Sequence, residues 1–395
     1  MLSFDNTKIA FSDKSTKSLR KAYWMFWLVK NPFLVLLGSW LLTLANKLRL
    51  PLHWALRNTV FEHFCGGETL DECQSTIDAL GKKNIKAVLD YAAEGAEKEK
   101  EFDEATRRII ATIELGHKNK NIGFAVFKFT GIARFALLEK VGSLDPLTAS
   151  ESLELERVKQ RADLICQKAL ELNVQVMIDA EESWIQSAID EITEELMERY
   201  NKERPVVFHT LQLYRTDKLY YLKKLTALAR QKKFMPGYKL VRGAYMEKER
   251  KRASRMGYAS PIHPDKTSTD AAFDDAVRFC IDHIDQLAVC IGSHNELSNS
   301  EAAFLMDLNE LENDHPSVFF SQLMGMSDHI SYNMADKGFN VSKYVPYGPL
   351  RLAMPYLIRR AQENTSVAGQ TGRELFLIRQ EIMRRKKESS STNQN

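Results

Sequence analysis

The sequence is poor in the residues that would mark a metal or disulfide protein. Its 395 residues hold five cysteines, Cys65, Cys73, Cys166, Cys280 and Cys290, an odd number with no CxxC pair. That argues against a disulfide framework or structural zinc site and favours a reducing compartment. No HxH or HExxH pair is present, which leaves little for a metal-dependent hydrolase, although His209, His263 and His294 with Asp179 keep that class as a rival. Charge of one sign is also lacking: 55 Lys and Arg against 52 Asp and Glu leave a net +3, too mild for a nucleic-acid footprint. The most apolar stretch, Ala22–Asn46, is broken at Lys30-Asn31-Pro32. The apolar run after the break is shorter than the ~20 residues a spanning helix needs, so the stretch is expected to pack on the body or lie at a membrane surface. The first twenty residues are polar and include Asp5 and Asp13, which argues against a secretory signal or a mitochondrial transit peptide.

The chain is rich, by contrast, in alternation. Residues 1–85 read as helical, with Tyr23–Val29, Phe33–Leu48 and Trp54–Phe64 rich in Trp, Phe and Leu, a Gly66-Gly67 break, and an amphipathic run Thr69–Leu80. Short β-branched runs then alternate with long charged amphipathic segments. The predicted strands are Ala87–Tyr91, Gly123–Phe129, Val174–Asp179, Val206–Gln212, Tyr238–Gly243, Ala288–Ser293, Val318–Leu323 and Ser342–Pro346, each followed by a helical pattern. Eight such repeats in about 280 residues predict an α/β protein built on a (β/α)8 barrel over 86–370. A C-terminal helix, Arg373–Lys387, and a disordered basic and polar tail are expected within 371–395. An open doubly wound sheet is the runner-up, but no glycine-rich fingerprint follows the first strand.

A barrel of this kind places its chemistry at the strands' C-terminal ends. Polar residues stand there on nearly every strand: Lys128, Asp179, Gln212, Arg242 to Tyr245, Ser293-His294-Asn295, Gln322 and Tyr347. Taken singly, Asp179 beside Glu181 and Glu182 reads equally well as a helix cap, and His294 as a core or cap histidine. The organising stretch is Lys343–Asn364, where a turn at Tyr347-Gly348-Pro349 leads into a helix. On that helix Tyr356, Arg359, Arg360 and Glu363 share one face. Two guanidiniums beside a tyrosine form a receptor for a small carboxylate, with Glu363 placed to pair with them.

Together these strings resemble the proline dehydrogenase family: FCGGET at Phe64–Thr69, IDAEES at Ile178–Ser183, TLQLY at Thr210–Tyr214, KLVRGAYMEKER at Lys239–Arg250, GSHNE at Gly292–Glu296, SQLMGMSDHIS at Ser321–Ser331 and the Lys343–Asn364 stretch. The likeness covers about residues 60–370. It implies a distorted (β/α)8 barrel with an N-terminal helical extension, a final helix over the C-terminal rim, and FAD lying across that rim. The implied reaction is oxidation of L-proline to Δ1-pyrroline-5-carboxylate. Tyr356, Arg359 and Arg360 match the family's proline-binding helix, Lys128 a lysine facing the substrate carboxylate, Tyr344 and Leu323 the walls on the ring, and Asp179 an active-site aspartate. Ala180, Gln212, Val241, Gly243, Ala244, Tyr245, Ser293, His294 and Asn295 match cofactor contacts, Glu363 a glutamate at the ribityl chain, and Lys266 loosely a lysine near the phosphates. Glu94 matches a gating glutamate.

Two departures bear on the chemistry. One branch of the family reads RLVKGAYW where this chain reads KLVRGAYM, so the cation expected at flavin N5 is Lys239 by position, with Arg242 the alternative that a local twist would select. Met246 replaces a tryptophan beside the flavin. The resemblance further implies a membrane quinone as electron acceptor and a separate pyrroline-5-carboxylate dehydrogenase for the next step. It implies a cytoplasmic enzyme peripheral at a bacterial inner membrane, or one on the matrix side in mitochondria. 4-Hydroxyproline oxidation is the sister activity, disfavoured because an added hydroxyl would clash with Tyr344. A non-enzymatic membrane scaffold, drawn from Trp24–Leu42, is the remaining class.

Overall fold

The computed structural model describes residues 2–29, 57–92, 96–366 and 368–392. The expected helix Phe33–Leu48 and the gating Glu94 lie outside the described residues. Helices α1 (Thr7–Ala10) and α2 (Thr16–Val29) come first, followed by a π-helical turn at Arg57–Phe61 and by α3 (Leu70–Gly81). The barrel then runs β1 (Ile85–Tyr91), α4 (Glu99–Lys118), β2 (Ile122–Phe127), α5 (Phe135–Gly142), α6 (Ala149–Glu171), β3 (Gln175–Ile178), α7 (Ser183–Tyr200), β4 (Val207–Gln212) and α8 (Lys218–Lys232). It continues with β5 (Gly237–Val241), α9 (Met246–Met256), α10 (Lys266–Asp282), β6 (Ala288–Gly292), α11 (Glu296–Leu308), β7 (Val318–Leu323), α12 (Asp328–Asp336) and β8 (Val341–Tyr347). Helices α13 (Leu350–Ser366) and α14 (Ala368–Thr392) close the chain. All eight strands are parallel and β8 pairs back onto β1, so the sheet is a closed barrel, as the alternation predicts.

Period-two alternation sorts the strand residues. Outward-facing Leu89, Ala125, Ile178, Leu211, Leu240, Ile291, Phe320 and Val345 are buried against the helix layer. Each large aliphatic side chain there stabilises the fold by about 1.5–3 kcal/mol. Inward-facing Val88, Phe124, Met177, Phe208, Cys290 and Tyr344 fill the lumen with Phe319. The rings of Phe124, Phe208 and Phe319 meet edge to face at 5.1–6.4 Å, a solid floor in the barrel. One inward step further along the strands, the same alternation yields Asp90, Lys128, Asp179, Thr210 and Lys239. Hydrophobic and charged layers are thus stacked within the lumen, with the charged one at the C-terminal mouth.

Helix α13 is brought over that mouth by its lead-in. Gly66 donates its N–H to Pro346 O at 2.9 Å, and Gly348 donates to Gly67 O at 3.0 Å. A Cβ on Gly66 would come within 2.6 Å of Val345, so only glycine allows the two chains to approach. Gly348 has φ +135°, a left-handed conformation that turns the chain from β8 into the helix. Ala353, Tyr356 and Leu357 of α13 then pack on Phe61, Phe64, Ala92 and Met326 at the rim.

Three details differ from the sequence-based expectation. Helix α9 is one, because EKERKRASRM offers no apolar stripe; it is held by ion pairs of Lys248 with Glu182 (2.9 Å) and Arg252 with Glu139 (2.6 Å). Helix α5 is likewise additional. The last helix runs on through the Ser/Thr segment to Thr392, well past the Lys387 expected, with Ser389, Ser390 and Ser391 bonding back to carbonyls of the preceding turn.

Candidate active site

At the mouth of the barrel four buried side chains and the partly buried Lys128 form one hydrogen-bonded cluster. Asp179, just beyond β3, accepts from Lys239 Nζ of β5 at 2.6 Å and from Tyr344 OH of β8 at 2.7 Å. Lys128, just beyond β2, lies 3.2 Å from the same carboxylate, 3.0 Å from Asp90 Oδ2 and 3.1 Å from Tyr344 OH. The Lys239 ammonium sits 4.6 Å above the Tyr344 ring. Burial pushes the Asp179 carboxyl up, but Lys239 and Lys128 outweigh it and hold the group well below the usual carboxylate range. Burial shifts Asp90 upward; Lys128 opposes the shift without cancelling it, so Asp90 is the acid that takes a proton first. The Tyr344 phenol is raised by burial and by both acids, so it stays a hydrogen-bond donor.

Asp179 is therefore not a helix cap; Glu182 occupies the cap position of α7. The Lys239 and Arg242 alternatives are separated in space, with Lys239 in the lumen. Arg242 turns outward to α10, bonded to Asp270 (2.6 Å), Ser293 Oγ (2.9 Å) and Ser298 Oγ (2.9 Å) with its guanidinium 4.3 Å from the Phe273 ring. Leu323 bridges the lumen cluster and the cluster under α13, beside Tyr344.

The α13 cations reach the same rim. The Arg359 guanidinium lies 5.7 Å from the Tyr245 ring beyond β5, and that of Arg360, only 7% exposed, lies 5.2 Å from the ring of buried Tyr356. Glu363 belongs to α13, but its side chain is not among those described. Around the rim Gln212 donates to Glu181 O (2.8 Å) and accepts from Ala244 N (3.2 Å). Ala180 and Tyr245 are buried, and Val241 ends β5. Gly243, at φ +136°, lies where a Cβ would strike the Tyr214 ring at 2.5 Å. Asn295 caps α11, and Ser293 Oγ accepts from Asn295 N (3.1 Å). Lys266 is the outlier: its side chain is two-thirds exposed and pairs with Asp270, joining it to Arg242. His209 faces away from the lumen onto Asp190 (2.9 Å), so it does not converge with Asp179 and His294. Among the described residues no group of His, Cys, Asp and Glu could hold a metal ion.

Sequence reasoning missed Asp90 and Lys343. Asp90 was legible in principle, as a lone acid one residue before the end of a strand. Lys343, 1% exposed, gave no local signal, since its partners Asp328 Oδ1 (2.8 Å) and Met326 O (2.5 Å) belong to the preceding loop and helix.

Two half-buried histidines make the fold sensitive to acid. Burial and Lys14 hold His63 down to about 4, and burial with Lys343 and Arg360 holds His294 down to about 3, against an ordinary 6.5. Between pH 6.5 and 4 the unfolded chain therefore binds more protons than the folded one, and stability falls as pH falls. His63→Gln, which can keep the 2.8 Å bond to Gly325 O, is expected to flatten the decline of melting temperature across that window. An unchanged slope in thermal scans of the variant would refute the assignment.

A sequence model of the proline dehydrogenase family matches residues 73–373. The chain is 31% identical over 430 residues to proline dehydrogenase 1, mitochondrial, of Dictyostelium discoideum, covering 97% of this chain and 75% of that protein. It is 34% identical over 322 residues to the carbapenem antibiotics biosynthesis protein CarD of Pectobacterium carotovorum subsp. carotovorum, covering 82% of this chain and 83% of that one. Among solved structures it resembles proline utilization A (PutA) from Bdellovibrio bacteriovorus inactivated by N-propargylglycine, with a TM-score of 0.70 and 20% identity. That likeness covers 90% of this chain and 38% of the PutA chain, and at such identity it is a likeness of fold.

Proposed function

This chain belongs to the proline dehydrogenase family, and from that premise we propose that it oxidises L-proline at the C-terminal mouth of its barrel with FAD as the cofactor. The observation that carries the reading is the hydrogen-bonded Asp90–Lys128–Asp179–Lys239–Tyr344 cluster beneath a helix bearing Arg359 and Arg360. The donor set suits a flavin. Lys239 has three N–H donors, of which one bonds Asp179, so a cation with donors to give faces the mouth. Gln212, Ala244, Ser293 and His294 supply further polar groups on the same rim, and Gly243 leaves it uncluttered. When bound, the flavin supplies the hydride acceptor.

The protein's own task is to orient and tune. The cluster balances two carboxylates with two ammoniums, so the net attraction for a substrate carboxylate falls on Arg359 and Arg360. A proline zwitterion must lose its ammonium proton before hydride can leave the carbon beside nitrogen. Arg359 and Arg360, standing over that balanced cluster, raise the electrostatic cost of the protonated amine there. Tyr344 and Leu323 wall the ring, so much of the rate comes from orientation. Lys239 is placed to stabilise negative charge arising on the cofactor edge it faces. Arg242, turned toward α10, acts by fixing Ser293 and the rim.

The decisive test is spectral. The purified protein is expected to be yellow and to bleach on addition of proline, with little response to 4-hydroxyproline because Tyr344 closes the ring pocket. A colourless protein whose activity is lost to chelators would overturn the reading in favour of a hydrolase; neither behaviour would point to a scaffold. The electrons are proposed to pass to a membrane quinone, and the product to a separate pyrroline-5-carboxylate dehydrogenase. Exposed Trp24 (60%) and Trp27 (47%), stacked edge to face on α2, together with basic α14 support a peripheral contact with an inner membrane, mitochondrial or bacterial. Failure to float with liposomes would remove that contact. In this reading residues 86–370 are the catalytic barrel, flanked by regions 1–85 and 371–395.

A further inference from the structure

The segment between β7 and α12, Met324 to Ser327, follows directly on Leu323 in the wall of the proposed proline pocket, yet it belongs to no helix or strand. Two of its residues are left-handed, Gly325 at φ +75° and Ser327 at φ +51°. For serine that conformation persists only when its surroundings hold it. Ser327 Oγ lies 2.9 Å from His294 Nδ1, and the Leu323 N–H reaches His294 Nε2 at 3.5 Å. The imidazole thus links the two ends of the segment, and with Nε2 accepting, Nδ1 carries the proton and donates to Ser327.

The group that holds Ser327 comes from the far end of the chain. Its N–H donates to the Glu374 carboxylate of α14, a side chain 6% exposed and 47 residues away. Beside it on α14, Arg373 pairs with Glu296 (2.8 Å) and Asp5 (2.6 Å), which keys the helix to α11 and the N-terminal segment. Lys343 anchors the segment from β8 through Met326 O and Asp328, and Lys14 reaches the other oxygen of Asp328 at 2.7 Å.

We propose that Glu374 is a positioning residue for the active site: it fixes Ser327 in its left-handed conformation, Ser327 fixes the tautomer and orientation of His294, and His294 sets the rim against which Leu323 and the cofactor lie. This rests on the proline-oxidising reading of the site, but its structural half can be tested without it. The chemistry asks only for an acceptor at Glu374, so glutamine serves and alanine does not.

The experiment uses the full chain with histidine-selective 15N labelling, the His294 signals being assigned with a His294→Gln variant. Glu374→Gln is expected to keep the Nδ1–H pattern and near-parental kinetics. Glu374→Ala is expected to lose that pattern and to lower kcat/KM for proline by about ten-fold, carried mainly in KM, as for one hydrogen bond loosened. Ser327→Gly relieves the left-handed strain, deletes the Oγ partner and avoids the folding risk of Glu374→Ala; it should reproduce the 15N change. The Glu374→Ala and Ser327→Gly effects should be non-additive in the double variant. Unaltered His294 signals in Glu374→Ala and Ser327→Gly, or additive kinetic effects, would overturn the proposal. If the parental protein shows no proline oxidation at all while the 15N pattern behaves as described, it is the functional reading that fails and not the relay.

Discussion

Arg360→Met is expected to raise the KM for proline by between about ten- and a hundred-fold while flavin stays bound, because one charge-assisted carboxylate contact is worth ~1.5–3 kcal/mol. Arg360 should be the more sensitive of the pair. It is buried at 7% exposure against the Tyr356 ring, whereas Arg359 is only partly covered beside Tyr245. A contact made out of water is screened less, and its loss cannot be made good by solvent. Arg360→Lys should recover only part of the loss, since an ammonium cannot present a fork to two oxygens. Steady-state kinetics on both variants, with the flavin absorbance recorded on the same samples, decide the matter. Parental KM values in both would move the carboxylate elsewhere.

The second large effect is expected at Asp179. Removing it in Asp179→Ala leaves Lys239 buried without its hydrogen-bonding anion and takes away one of the carboxylates that Lys128 faces. Breaking a buried pair in this way costs about 3–5 kcal/mol of stability, and kcat/KM should fall by about a thousand-fold as Lys239 and Tyr344 lose their fixed positions. The pH dependence has a definite sign. The Asp179 carboxyl is held below its ordinary 3.8, so its contribution is fully present above that pH and is lost as pH falls further. Denaturant unfolding of the parent and Asp179→Asn should therefore differ most near neutrality and converge in acid. A constant difference down to low pH would show that shape, and not charge, matters at this position.

The barrel was readable in the sequence because each strand is a short β-branched run with turn residues at its ends; β7 was bounded to the residue and the others to within two. The same alternation set Lys239 and Arg242 on opposite faces, since neighbours three apart on a strand face opposite ways, but a local twist left open which of them faces inward. Less legible was anything whose cause lies far along the chain. Helix α9 owes its order to Glu182 and Glu139, residues on or beside other elements, and not to a stripe of its own. Lys128 pairs with Asp90 as well as Asp179, and nothing local to Lys128 announced it. Lys343, Asp328 and Lys14 likewise come from β8, α12 and the N-terminal segment, and each taken alone reads as an ordinary charged residue.

Closure of the sheet also governs how the molecule is made. The first strand pairs with the second along one edge, but its other edge finds a partner only in the last, from Ile85 beside Val341 to Tyr91 beside Tyr347. A nascent chain leaving the ribosome therefore carries β1 with one edge bare until Tyr347 has emerged. Parallel pairing over so long a loop is slow, and an open apolar edge invites association with neighbouring chains. Translation stalled before β8 should accordingly yield insoluble product unless a chaperone shelters that edge, and rapid overexpression should be harder on this protein than its finished stability would imply.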